Sequence, residues 1–250
     1  MNIKWESTGE GSPLLLIQGL GYGRWGWEPI VHGLAARHRV VSFDNRGIGE
    51  SDKPPGPYTA AQMAEDARQV LDEAGIERAH VLGASLGGMI AQELAVAAPE
   101  RVDRLVLCCT TPGGPATVPM PEVTMRLFAE APSLAPEVAL RRFVENALGS
   151  EPPTELVDEL FARRVANPPD PAGWQAQAAA GMGFEGVEAE ISAPTLILGG
   201  TADNVVDQRN AEVLATRIPG ARVELLAGAG HLFFWEQPGE SVRIINEFLE

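Results

Sequence analysis

Gly83-Ala84-Ser85-Leu86-Gly87 stands between an apolar run over 80–83 and a segment of helical character over 86–98 that stops at Pro99. A G-x-S-x-G pentapeptide in that context forms a tight strand-to-helix turn and holds its serine out at the end of the strand. Small residues are needed on both sides because the chain reverses so sharply that side chains would collide, and Gly88 extends the permissive stretch. A glycine-rich turn of this kind also suits a phosphate, since helix N-termini attract anions. Neither a Walker lysine nor the second and third glycines of a dinucleotide fingerprint is in place, so the pattern points to Ser85 as a nucleophile.

Outward from this turn, short β-rich runs over 14–18, 40–43 and 105–109 read as further buried strands, and segments over 29–36 and 60–74 as helices. Strand and helix alternate, and continuous apolar runs belong to parallel strands covered on both faces. The alternation resumes late, with strands over 194–199 and 222–226 and helices over 207–217 and 239–249. The expected architecture is therefore α/β, a doubly wound and mostly parallel sheet. Residues 112–188 carry many prolines and no clear strand, with amphipathic stretches over 123–130, 136–148, 154–165 and 173–180. They are expected to form a helical cap inserted into a core made of residues 1–111 and 189–250.

With 250 residues and 45 % hydrophobic side chains, the chain is long enough for one large core. Its formal charge of −15 opposes nucleic acid and anionic lipid surfaces, so neither is an expected partner. The N-terminus lacks a secretory pattern and no apolar run is long enough to span a bilayer, which leads to the expectation of a cytoplasmic protein without a membrane partner. Cys108 and Cys109 are neighbours, which excludes a disulfide framework.

A serine hydroxyl needs a neighbouring base, and histidine, with an ordinary pKa of about 6.5, is the usual one. Of four histidines, His32, His38 and His80 lie away from the expected site, whereas His231 ends the loop Ala227-Gly228-Ala229-Gly230 after a strand. That loop falls at the same sheet edge as Ser85. A protonated imidazole needs a carboxylate to orient and stabilise it. Asp203, following its own strand through Gly200-Thr201-Ala202, is the candidate; Asp207 competes but stands where a helix N-cap is expected. A developing oxyanion requires two backbone N–H donors, expected from Leu86 and from Leu20 in Gln18-Gly19-Leu20-Gly21.

With Ser85, Asp203 and His231 in that order, and Asp44-Asn45-Arg46-Gly47-Ile48-Gly49-Glu50-Ser51 after the second core strand, the chain resembles the α/β-hydrolase superfamily. It is most similar to the short, cap-bearing esterase, enol-lactonase and haloperoxidase-like branch, and the 231–238 ending looks especially like the enol-lactonases. Two departures are Gln18, where many relatives have a histidine, and a single strand before Leu14 where relatives commonly have two.

The resemblance implies hydrolysis of small-molecule carboxylic esters through an acyl-enzyme, with no metal or organic cofactor. Lactone hydrolysis, carbon–carbon bond hydrolysis and cofactor-free haloperoxidase activity use the same triad. A non-enzymatic small-molecule sensor is the competing class, and the triad weighs against it. Arg24 is a candidate anchor for an anionic substrate or a solvated loop arginine, while Trp25, Trp27 and Phe128 are candidates for an apolar pocket or for plain core. Oligomeric state is not legible.

Overall fold

The computed structural model describes residues 1–250. Strands β1 (Trp5–Thr8), β2 (Ser12–Ile17), β3 (His38–Phe43), β4 (Ala79–Ala84), β5 (Val102–Cys108), β6 (Thr195–Gly200) and β7 (Arg222–Leu226) form one seven-stranded sheet in the order β1-β3-β2-β4-β5-β6-β7. Only β1 runs antiparallel, at the edge against β3; every other pairing is parallel. One strand precedes β2, as expected.

Alternate residues of each inner strand enter opposite apolar layers. Leu15 and Ile17 of β2, Val81 of β4 and Leu105 and Leu107 of β5 lie in one layer. Leu14, Leu16, Leu82 and Val106 lie in the other. Both faces are buried, which explains why these strands read as continuous hydrophobic runs.

Helices α1 (Glu28–Ala35), α2 (Ala60–Glu73) and α3 (Leu86–Ala97) connect the first strands. Leu34 of α1 enters the second layer, while Val70 of α2 and Ile90 of α3 enter the first, so the sheet is wound on both faces. The start of α2 is fixed by a capping box, in which the Thr59 hydroxyl accepts the Gln62 N–H and the Gln62 side chain accepts the Thr59 N–H.

Four helices intervene between β5 and β6: α4 (Glu122–Glu130), α5 (Pro136–Asn146), α6 (Thr154–Ala166) and α7 (Pro171–Met182). After β6 come α8 (Arg209–Arg217), the single turn α9 (Phe233–Glu236) and α10 (Pro238–Leu249). α8 begins two residues later than the sequence pattern predicts, because Asp207 accepts both the Arg209 N–H and its guanidinium just ahead of the first turn. No helix is long and apolar enough to cross a membrane.

Candidate active site

β2 pairs with β3 on one side and β4 on the other, and the connections leaving β2 and β4 pass to opposite layers. A crevice opens at the carboxyl ends of strands where connections diverge in this way. The loops after β2 and β4 flank it, and Ser85 sits there.

Ser85 adopts φ 56° and ψ −119°, and only one other non-glycine residue, Cys109, has a positive φ. The turn is held because the Ser85 N–H donates to Cys108 O at 2.9 Å and the Thr110 hydroxyl donates to Ser85 O at 2.7 Å. A Cβ on Gly83 would meet Gly87 O at 2.2 Å, and one on Gly87 would meet Ile17 O at 2.0 Å. The flanking glycines therefore permit strand, helix and neighbouring loop to close on one point, and the serine takes the strained conformation between them.

The same closeness brings the β2 loop to the serine. A Cβ on Gly19 would stand 3.1 Å from Ser85 Cβ. Gln18 folds its side chain back so that Oε1 accepts the Gly19 N–H at 2.8 Å, and Asn45 Nδ2 donates to Gln18 O at 2.9 Å. These side-chain bonds fix the loop that carries Leu20 against the Ser85 turn, and the N–H of Leu86, the first residue of α3, has no intrahelical acceptor.

His231 and Asp203, each 8 % exposed, meet with Nδ1 2.8 Å from Oδ2. The other carboxylate oxygen accepts the Val205 and Val206 N–H groups at 2.7 and 2.9 Å, which fixes the acid's orientation. Burial disfavours the imidazolium, but Asp203 and the adjacent Cys109 outweigh it and hold His231 well above its ordinary value. No hydrogen bond joins Ser85 to His231; nucleophile–base contacts commonly tighten only when substrate is bound. Cys109, which follows the strand end that anchors Ser85, is among the groups that favour the charged imidazole.

Arg24 is neither an anion anchor nor a solvated loop residue. Its guanidinium is ringed by Glu6, Asp44 and Glu50 at 3.2, 3.3 and 2.5 Å, so its charge is already neutralised. Trp27 is core, 1 % exposed and packed on Phe234 at 5.2 Å between ring centroids. Phe128 lies on the outside of the α4–α7 insertion, 43 % exposed and beside Phe143. Of the expected pocket aromatics only Trp25 stays near the site, between Tyr22 and Trp235. His38 binds Ser12, and His80 faces Asp103, at the far end of the sheet.

Several residues at the site carry no sequence signal of their own. Gln177 of α7, fully buried, accepts the Gly21 N–H at 3.0 Å and donates to Arg46 O. Trp174 packs on Gly21, and Arg164 of α6 donates to Gly21 O at 2.7 Å. Glu236 binds the Gly230 N–H just before His231. The contacts of Gln177, Trp174 and Arg164 join residues far apart in the chain, and only Glu236 lies inside a motif readable from sequence. No group of three or more His, Cys, Asp or Glu side chains is arranged to hold a metal ion.

A family model for the alpha/beta hydrolase fold matches residues 12–238. The chain is 33 % identical to a protein of Azorhizobium caulinodans named as a candidate carbamate hydrolase, RutD, over 99 % of this chain and 93 % of that one. It is 29 % identical to the pimeloyl-[acyl-carrier protein] methyl ester esterase of Aeromonas hydrophila, over the full length of both. The crystal structure of the enol-lactonase from Burkholderia xenovorans superposes with a TM-score of 0.85 at 28 % identity, covering 99 % of this chain and 96 % of that one.

Proposed function

This chain belongs to the alpha/beta hydrolase fold family, and from that membership we propose that it is a serine hydrolase cleaving carboxylic esters of small molecules through an acyl-enzyme. The observation that carries the reading is the strained backbone of Ser85, φ 56° on a serine at the mouth of a strand–helix turn, a cost that a glycine there would avoid. Ser85 Oγ attacks the ester carbonyl carbon while His231 takes its proton, and the carbonyl oxygen becomes an alkoxide bound by the Leu20 and Leu86 N–H groups. The alkoxide collapses, the C–O bond to the alcohol breaks, and His231 returns the proton to the leaving oxygen. Water, deprotonated by the same imidazole, then releases the acid and restores the serine. Asp203 holds the imidazole by its Nδ1 and stabilises the cation.

A lactone is a cyclic ester open to the same attack, its leaving oxygen remaining tethered to the acyl group. The similarity to the enol-lactonase favours this as the second reading. Initial rates on p-nitrophenyl esters of increasing acyl length and on a lactone series, for wild type and Ser85→Ala, test both. Loss of turnover by roughly 10⁴-fold or more on substitution supports the nucleophile. Wild-type turnover of neither class would overturn the proposal and advance carbon–carbon hydrolysis, or a sensor whose ligand stabilisation survives Ser85→Ala.

A further inference from the structure

We propose that Arg164 and Tyr22 form an anion-recognition subsite at the oxyanion loop, so that the substrates are esters or lactones carrying a carboxylate a few bonds from the reacting carbonyl. This deepens the serine hydrolase reading and rests on it.

Arg164 reaches from α6 onto the loop after β2. Its guanidinium carbon lies 4.5 Å from the centroid of the Tyr22 ring, and Nη1 donates to Gly21 O at 2.7 Å, one residue beyond Leu20. A guanidinium has five N–H donors, and here only that one bond within the protein engages them. No carboxylate approaches Arg164, although the chain carries 34 acidic residues against 19 basic ones. The other partly buried arginines of this region are treated differently: Arg24 is ringed by carboxylates and Arg46 grips Asp66 through two donors at 2.5 and 2.7 Å. A partly buried cation without a counter-ion carries a desolvation cost, and a planar fork left open is suited to the two oxygens of a carboxylate.

Tyr22 supplies the second element. Its hydroxyl makes no hydrogen bond within the protein, and its backbone N–H donates at 3.3 Å to the O of Gly19, the residue that lies against Ser85. Burial holds the phenol above its usual range, so it remains an O–H donor at neutral pH. The mount is rigid, because Gln177 binds the Gly21 N–H and Trp174 packs against Gly21. In a chain of net charge −15 an anionic substrate is repelled by the protein as a whole, so a local cation decides whether it is admitted.

The test compares monomethyl glutarate, an anionic half-ester, with dimethyl glutarate, its neutral counterpart. Arg164→Gln is expected to raise KM for the half-ester by about tenfold or more beyond any change it causes for the diester. Arg164→Lys, which restores charge without the fork, is expected to recover part of the loss. Equal effects of Arg164→Gln on both esters would overturn the subsite and leave Arg164 as an anchor for α6. A second readout does not need turnover: glutarate titrated against the indole fluorescence of Trp25 and Trp235 should bind wild type and Ser85→Ala but not Arg164→Gln. Arg164-dependent binding of glutarate without hydrolysis of either ester would sink the esterase reading and keep the subsite. Glutarate binding that Arg164→Gln leaves unchanged, or no glutarate binding together with no preference between the esters, would overturn it.

Discussion

Glu236 holds Gly230 in place: its Oε2 accepts the Gly230 N–H at 2.7 Å, one residue before His231. Its other oxygen accepts the Gly149 N–H at 2.8 Å, in the connection between α5 and α6. The Leu232 N–H donates to Ala147 O at 2.9 Å, closing the same contact from the far side of His231. One carboxylate thus clamps the histidine loop onto the helical insertion. Glu236→Gln offers one acceptor and one donor to two N–H groups, so one pairing must fail. The expected cost is about 1–3 kcal/mol, visible as a lowered Tm, together with a fall in kcat as the imidazole loses its mount. A variant with wild-type Tm and kcat would show that the clamp carries no weight.

Ser85 is expected to be less stable than glycine at its own position. A serine at φ 56° and ψ −119° bears a backbone strain of roughly 1–3 kcal/mol, whereas glycine adopts that conformation freely at an entropic cost of about 0.5–1 kcal/mol in the unfolded chain. Ser85→Gly should therefore raise Tm while abolishing turnover, and Ser85→Ala should abolish turnover without the gain. Equal thermal stability of the two variants would remove strain from the account of this turn.

The Ser85 turn and the His231–Asp203 pair were legible because each residue follows a strand, and a parallel sheet gathers its strand ends at one edge. Position along the chain alone was a poor guide to side-chain partners. Arg24 follows the oxyanion loop closely, yet Glu6 from β1 and Glu50 from another loop capture its charge. Trp27, only two residues beyond Trp25, turns into the layer that holds Phe234. Arg164 was invisible for a related reason. The pattern of α6 marks an amphipathic helix but not which of its polar residues will meet the core, a matter settled by Gly21, whose position is 143 residues away.

Activity should rise with pH through a group whose pKa lies above the ordinary histidine value. His231 must be neutral to accept the serine proton, and Asp203 and Cys109 favour its charged form against the effect of burial. The fraction able to act as base therefore grows as pH climbs through that raised pKa, giving kcat/KM an alkaline-rising limb above about pH 6.5. Cys109→Ala removes one of the groups favouring the cation and should move the limb toward neutrality; Asp203→Asn should depress turnover by on the order of 10⁴-fold. A limb centred below pH 6.5 in wild type would contradict this electrostatic picture.

Stability should be lost on mild acidification through the end of the sheet opposite to the one that sets activity. His38 and His80 lie with ring centroids 5.9 Å apart, the first bonded to Ser12 at 2.8 Å and the second 3.4 Å from Asp103. Burial, foremost among the causes, holds both below the ordinary histidine value, against the opposing effects of Asn246 on His38 and of Asp103 on His80. The unfolded chain takes up protons at about pH 6.5 while the folded protein resists until lower pH, so unfolding gains protons in that interval. Their contribution is full above about pH 6.5 and declines as pH falls through the window between the unfolded and folded values. His231 acts in the other direction, its raised pKa contributing stability below about pH 6.5 that is lost as pH rises through the folded value. Tm measured at pH 7.5 and 5.5 should therefore drop less on acidification in a His38→Gln/His80→Gln double variant than in wild type. An identical drop in both proteins would mean that the pair titrates freely and plays no part in acid lability.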